Sequence, residues 1–129
     1  KIIHKINLSS LNVEPNYFND KYLYANASLN NQVITEKMKY LSAVKNLDID
    51  APKFTYEVKS VNNFYEIKIS SENLVKNLFI DSELEYNFSD NYFDLRPNEQ
   101  KVIRIKRNKI HSINSFKESL NFLSLYDTY

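Results

Sequence analysis

Residues Phe88–Glu99 read F-S-D-N-Y-F-D-L-R-P-N-E, and the alternating run K-V-I-R-I-K-R over Lys101–Arg107 follows at once. Polar turn residues lead into the aromatic pair Tyr92 and Phe93, and the stretch closes on Leu95, Arg96, Pro97 and Asn98. Proline fixes its own φ and biases the residue before it toward the extended region, so Pro97-Asn98 reads as a turn that delivers the chain into a strand. Strand, tight turn and second strand is therefore the local expectation. In the second strand Ile103 and Ile105 face the core, and Arg104 and Lys106 face water.

Working outward from this stretch, the same alternation recurs. Phe54, Tyr56 and Val58 alternate with Lys53, Thr55, Glu57 and Lys59. Asn62-Asn63 then separates that run from Tyr65, Ile67 and Ile69, which predicts a hairpin with one apolar and one charged face. Leu74–Ser82 reads as a strand with Leu74, Leu78 and Ile80 opposite Val75 and Phe79. Leu120–Tyr126 reads as a closing strand with apolar residues on both faces. From Pro52 onward this gives about six short strands with no convincing helix between them, so no crossover helix is available for parallel pairing. The fold class expected is all-β, an antiparallel sandwich of immunoglobulin type.

The N-terminal part is thinner. Ile2–Leu8 alternates as a strand, and Ser9–Asp20 reads as a loop. Lys21–Leu29 and Gln32–Tyr40 form a hairpin about Asn30-Asn31, with Leu23, Ala25, Ala27 and Leu29 on one face and Tyr22, Tyr24, Asn26 and Ser28 on the other. A helix over Thr35–Val44 is the alternative on propensity alone, and Leu41–Asp50 with Ala51-Pro52 reads as a connector. The domain division expected is 1–51, a partial second sheet plus linker, and 52–129, the sandwich. About three strands cannot make a sandwich alone. The apolar face of Leu23, Ala25, Leu29, Ile34 and Met38 should therefore seek cover, with self-association or a loose N-terminal region as the outcome.

Composition narrows the chemistry. The 129 residues are 43% hydrophobic with net charge +1, as in a soluble globular protein and unlike a disordered tail or a nucleic-acid binder. No apolar run approaches the roughly 20 residues that span a bilayer. The start, Lys1-Ile2-Ile3-His4-Lys5, lacks the apolar core and cleavage site of a signal peptide, and with no initial Met it reads as a fragment or processed product. There is no Cys, which excludes thiol catalysis, disulfides and thiolate metal sites. There is also no Gly, which excludes Gly-rich phosphate loops. Asn, the next most tolerant residue of positive φ, is expected at the hairpin points Asn30-Asn31, Asn62-Asn63 and Asn98.

The remaining candidates for chemistry each have a plainer reading. Asp81, Glu83 and Glu85 at period two could offer calcium ligands, but they read as a solvated strand end. Asp90 and Asp94 read as turn caps. Lys101, Arg104, Lys106, Arg107 and Lys109 could contact nucleic acid, but the interleaved isoleucines make them the wet face of a strand. His4 and His111 lack metal-ligand company. Asn7, Asn26 and Asn87 begin N-x-S sequons, which arise readily by chance in so Asn- and Ser-rich a chain. Ten Tyr and eight Phe, Tyr17-Phe18 and Tyr22/Tyr24 among them, offer stacking platforms for sugar rings, though cross-strand packing accounts for most. The expectation is no catalytic residue, no metal and no cofactor, with neither nucleic acid nor membrane as partner.

The run S-D-N-Y-F-D-L-x-P-x-E resembles a pattern in the C-terminal immunoglobulin-like domain of β-mannosidases of glycoside hydrolase family 2. The match covers Ser89, Asp90, Asn91, Tyr92, Phe93, Asp94, Leu95, Pro97 and Glu99. It departs at Asn98, where the family usually has glycine, and at Arg96, where an apolar residue is common. Pro52-Lys53-Phe54 and the ending Ser124–Tyr129 also fit that domain, and residues 1–51 resemble the last strands of the domain before it. The resemblance implies a parent enzyme that removes terminal non-reducing β-D-mannose with two glutamates on a (β/α)8 barrel. A barrel needs about 250 residues, so this chain should be catalytically inert. Its partners would be the remaining domains of the parent glycosidase, with weak carbohydrate contact as the other interaction. The alternative is a stand-alone carbohydrate-binding or adhesion module. Relatives act in periplasmic, secreted or lysosomal settings.

Overall fold

The computed structural model describes residues 18–107 and 111–129. The chain divides into two compact units, Lys1–Asp48 and Ile49–Tyr129. The expected strand Ile2–Leu8 lies outside the described residues, as do His4, Asn7, Tyr17 and Lys109.

In the first unit, β1 (Tyr22–Leu29) pairs antiparallel with β2 (Gln32–Tyr40). Asn30 and Asn31 take φ of 50° and 62°, the signature of a two-residue type I′ turn. The helical alternative over Thr35–Val44 is overturned, because β2 runs through to Tyr40 and only Val44–Asn46 coils, as a 3-10 turn. The assignment of faces needs correction too. Tyr22 lies opposite Tyr40 and Tyr24 opposite Met38, so Met38 belongs to the tyrosine face and not with Leu23. That face is the half-buried one, whereas Leu23, Leu29, Val33 and Ile34 are exposed. Large amphipathic rings cover more neighbouring surface than the small Ala25 and Ala27 can. The segment after β2 is tied back by Leu41 N–H to the Lys21 carbonyl and Asp48 N–H to the Asn19 carbonyl.

The second unit is an antiparallel β-sandwich of immunoglobulin type. One layer has the order β3-β4-β7, built from Phe54–Val61, Phe64–Ser71 and Gln100–Lys106. The other has the order β6-β5-β8, built from Phe93–Leu95, Val75–Ser82 and Leu120–Leu123. Val58, Ile67 and Ile103 sit directly abreast across the first layer. Leu78, Ile80, Phe93 and Leu95 meet that row from the second layer, and Ile67 is fully buried between them. The period-two pattern of each strand is thus what closes the core.

Several local expectations give way to tertiary context. Of the predicted β3 face, only Val58 is buried, while Phe54 and Tyr56 lean on Phe122 at 5.9 and 4.7 Å between ring centroids. Val75 lies on the same inner side as Leu78 and Ile80, not opposite them. A register shift between Val75 and Leu78, with Asn77 at φ 53°, turns the strand over by one residue. A helix that alternation had hidden, α1 (Ile113–Glu118), follows β7, capped by the Ser112 hydroxyl accepting from the Ser115 amide. It buries Phe116 flat against Tyr65, ring centroids 4.6 Å apart. The closing strand ends at Leu123 and not Tyr126, because Ser124 and Asp127 form a capping box that starts a 3-10 turn over Leu125–Thr128.

Candidate functional site

The segment Phe88–Glu99 is where the two layers are joined, and nearly every polar group in it is committed to that junction. Phe88 bridges to Ile105. The Ser89 amide donates to the Arg104 carbonyl at 2.9 Å, and the Ser89 hydroxyl accepts from the Arg104 amide at the same distance. Asp90 pairs with Lys101 at 2.6 Å and also accepts from the Asn91 amide. The Asn91 carboxamide reaches the second layer, accepting from the Ile80 amide and donating to the Ile80 carbonyl, each at 2.7 Å. Asp94 accepts from the Asn77 amide at 2.8 Å and from Lys76 Nζ at 3.1 Å. The two aspartates therefore cap turns and a bulge.

Pro97-Asn98 is a turn but not a hairpin point, contrary to the sequence reading. Leu95 pairs with β5 in one layer, while Gln100 pairs with Ser70 of β4 in the other. The turn carries the chain across the sandwich. The Glu99 amide donates to the Arg96 carbonyl, and Asn98 at φ 60° follows Pro97, which is the type II pattern. Arg96 has a local task. Its guanidinium grips the Glu99 carboxylate through Nε at 3.1 Å and Nη2 at 3.2 Å. Partial burial works to raise the Glu99 pKa. The hydrogen bonds from the Arg96 side chain and amide, with the charges of Arg96 and Lys101, outweigh it and hold the carboxyl below its ordinary value.

The other sequence candidates do not converge on chemistry. Asp81, Glu83 and Glu85 are all exposed, and since β5 ends at Ser82 they do not share one strand face. Among the described residues no three acidic or imidazole side chains come together as a cation site. The basic cluster is dispersed. Arg104 pairs with Glu66 at 2.8 Å, Lys101 lies 4.0 Å over the Phe93 ring, and Arg107 sits over Tyr65. Asn26 lies within β1 and Asn87 is exposed beside the Phe88 bridge. The His111 carbonyl accepts from the Tyr65 hydroxyl at 2.9 Å, and its ring lies beside Tyr86. No helix among the described residues is long and apolar enough to cross a membrane.

One feature of the motif is not absorbed by the junction. Tyr92 takes φ 56°, its amide held at 3.1 Å from Asn91 Oδ1, and the residue is 68% exposed. The ring stacks on Phe79 of β5 at 4.7 Å and 19° between planes. The pair borders an apolar groove of about 280 Å³ on the outer face of the β6-β5-β8 layer, continued by Leu123 and Leu125. Sequence reasoning placed Tyr92 in a strand-leading pair and missed this pairing. The available signal was Asn91-Tyr92 itself, an Asn whose carboxamide can hold a following residue out of the β region.

Two three-stranded antiparallel layers, an inward alternation and a cross-layer turn define an immunoglobulin-like sandwich. Residues 49–128 match the family model described as the Ig-fold domain of mannosidases, and the chain belongs to that family. No curated protein matches the sequence.

Proposed function

We propose that this chain is the non-catalytic, C-terminal structural domain of a β-mannosidase of glycoside hydrolase family 2, whose intact chain hydrolyses terminal non-reducing β-D-mannose. The observation that carries the reading is the match of residues 49–128 to the mannosidase Ig-fold domain, over a motif whose polar side chains hold the sandwich together. Retaining glycosidases need two carboxyl groups about 5 Å apart across a sugar. Glu99, the glutamate of the motif, is locked to Arg96 and is unsuited to that work. Residues 1–51 are the last strands of the preceding domain and its linker. Their exposed Leu23, Leu29, Val33 and Ile34 fit a face that the rest of the parent chain covers, or a second copy when the chain is alone.

The test has two arms. The parent reading frame is expected to encode an upstream (β/α)8 barrel with two active-site glutamates and to cleave an aryl β-mannoside. The 129-residue chain is expected to release no product from the same substrate. An open reading frame lacking the barrel would sink the proposal, and hydrolysis by the isolated chain would overturn its non-catalytic role.

A further inference from the structure

Six described non-glycine residues have positive φ, and four of them, Asn30, Asn31, Asn62 and Asn98, sit in chain-reversing turns. The other two, Asn77 and Tyr92, line the same groove. Left-handed backbone is costly for a bulky side chain, and such outliers, like bulges that re-aim a side chain, concentrate at functional sites. Both are held by specific bonds, Tyr92 through Asn91 and Asn77 through Asp94. The result is a rigid aromatic pair displayed to solvent, with an apolar floor of Leu123 and Leu125. The outer face of the opposite layer is by contrast charged and paired, as in Glu66–Arg104 and Glu57–Lys59.

From this geometry we infer that the Tyr92–Phe79 groove is a binding site for a neutral saccharide, one pyranose ring stacking its apolar C–H face on the Tyr92 ring. The π face of an aromatic ring carries partial negative charge and attracts such C–H groups. The rim suits hydroxyl groups. The Asn77 carboxamide oxygen accepts from Lys76 Nζ at 2.7 Å, which leaves its nitrogen as a donor, and the Tyr92 phenol supplies a donor and an acceptor. Two of the charges beside the groove are taken up by each other, and a third by Ser124. Lys76 and Asp94 form a pair at 3.1 Å with side chains only 15% and 21% exposed, and the Asp127 carboxylate accepts from the Ser124 amide and hydroxyl, which favours a neutral ligand. A groove of about 280 Å³ holds one or two sugar rings and not a long apolar helix. The inference does not need the parent enzyme to be a mannosidase, so it can fail or stand independently of that reading.

The experiment is an amide NMR titration of the 129-residue chain with β-1,4-mannobiose and cellobiose, with indole as a non-sugar control. Saturable shifts at Asn77, Phe79, Tyr92 and Leu123, half-complete below about 10 mM sugar, are expected. Tyr92→Gly is expected to weaken binding at least tenfold while the thermal midpoint holds, since glycine suits the left-handed backbone and the ring is exposed. Tyr129→Ala, an exposed tyrosine outside the groove lining, should bind as the parent chain does. No saturable sugar shift up to about 50 mM, or equal binding by Tyr92→Gly, would overturn the inference. Saturation by indole alone would make the groove a purely apolar docking surface and overturn it equally.

Discussion

The Asn91 carboxamide pairs with the main chain of Ile80 through two hydrogen bonds, each 2.7 Å long, and so stands in for a missing length of β-ladder. Ile80 itself is fully buried, so both backbone groups depend on this one side chain. Leaving a buried donor and acceptor unpaired costs about 1–3 kcal/mol each before relaxation. Asn91→Ala should therefore lower stability by about 2–4 kcal/mol, read from urea denaturation with an unchanged slope. A loss below about 0.5 kcal/mol would show that the pair is dispensable.

Ile67 lies at the centre of the row Val58–Ile67–Ile103 and is wholly inaccessible. Ile67→Asp adds an unpaired buried carboxylate to the loss of roughly 1.5–3 kcal/mol of apolar burial and should unfold the sandwich. Ile67→Val should cost only about 0.5–1.5 kcal/mol. Circular dichroism and the dispersion of the NMR spectrum distinguish the two outcomes.

Asn98 turns the chain between layers at φ 60° with its amide bonded to the Ser71 carbonyl at 2.7 Å. Asn98→Ala should destabilise by about 1 kcal/mol, because alanine keeps the Cβ and loses the short polar side chain that eases the left-handed region. Asn98→Gly, which suits the left-handed backbone, should be neutral within about 0.5 kcal/mol. Thermal unfolding of both variants at one pH measures the difference.

The lowered pKa of Glu99 gives a pH dependence with a fixed sign. A carboxyl whose folded pKa lies below its unfolded value contributes stability that is complete above the ordinary value of 4.5. That contribution is lost as the pH falls through the lower folded value. Glu99→Gln should therefore be less stable than the parent at pH 7, and the gap should close in acid. Denaturant midpoints measured from pH 7 to pH 2.5 test this directly.

Tyr86 presents the opposite case, a hydroxyl that is buried with no hydrogen-bond partner among the described residues. Burial first, and the neighbouring Tyr65 second, push its phenol above the ordinary value of 10.0. Its ring is well used, edge-on to Phe116 at 4.9 Å and to Tyr65 at 6.4 Å. Tyr86→Phe keeps those contacts and should raise stability by about 1 kcal/mol at neutral pH. A raised folded pKa also means that this group's contribution is lost as the pH rises above 10.0, a loss that Tyr86→Phe should not share. Denaturation at pH 7 and at alkaline pH measures both effects.

Most of the sandwich was legible because its strands keep strict alternation. Ile67 and Ile69, and likewise Ile103 and Ile105, are buried where period two puts them. What alternation concealed was short or locally irregular. The six-residue helix α1 holds Ile113 and Phe116 at a spacing of three, too brief a pattern to be told from a loop. At Asn77 one bulged residue reversed the side of Val75, and no pattern of polarity announces such a shift. The closing strand stops at Leu123 although Leu125 and Tyr126 are apolar enough to continue it, because the Ser124–Asp127 capping box acts on the backbone.

For the candidate site the division is similar. Pro97, Asn98 and the acidic turn residues were identifiable from conformational preference, since φ limits and short polar side chains act locally. The sequence by itself determined an all-β sandwich, its hairpins and the inward row of isoleucines, because strand period and turn chemistry are properties of neighbouring residues. Only the tertiary structure decided that Pro97-Asn98 joins two layers, that Asn91 completes the ladder at Ile80, and that Tyr92 lies on Phe79. Each of these links residues more than ten positions apart or in different sheets, and such contacts depend on how the layers pack.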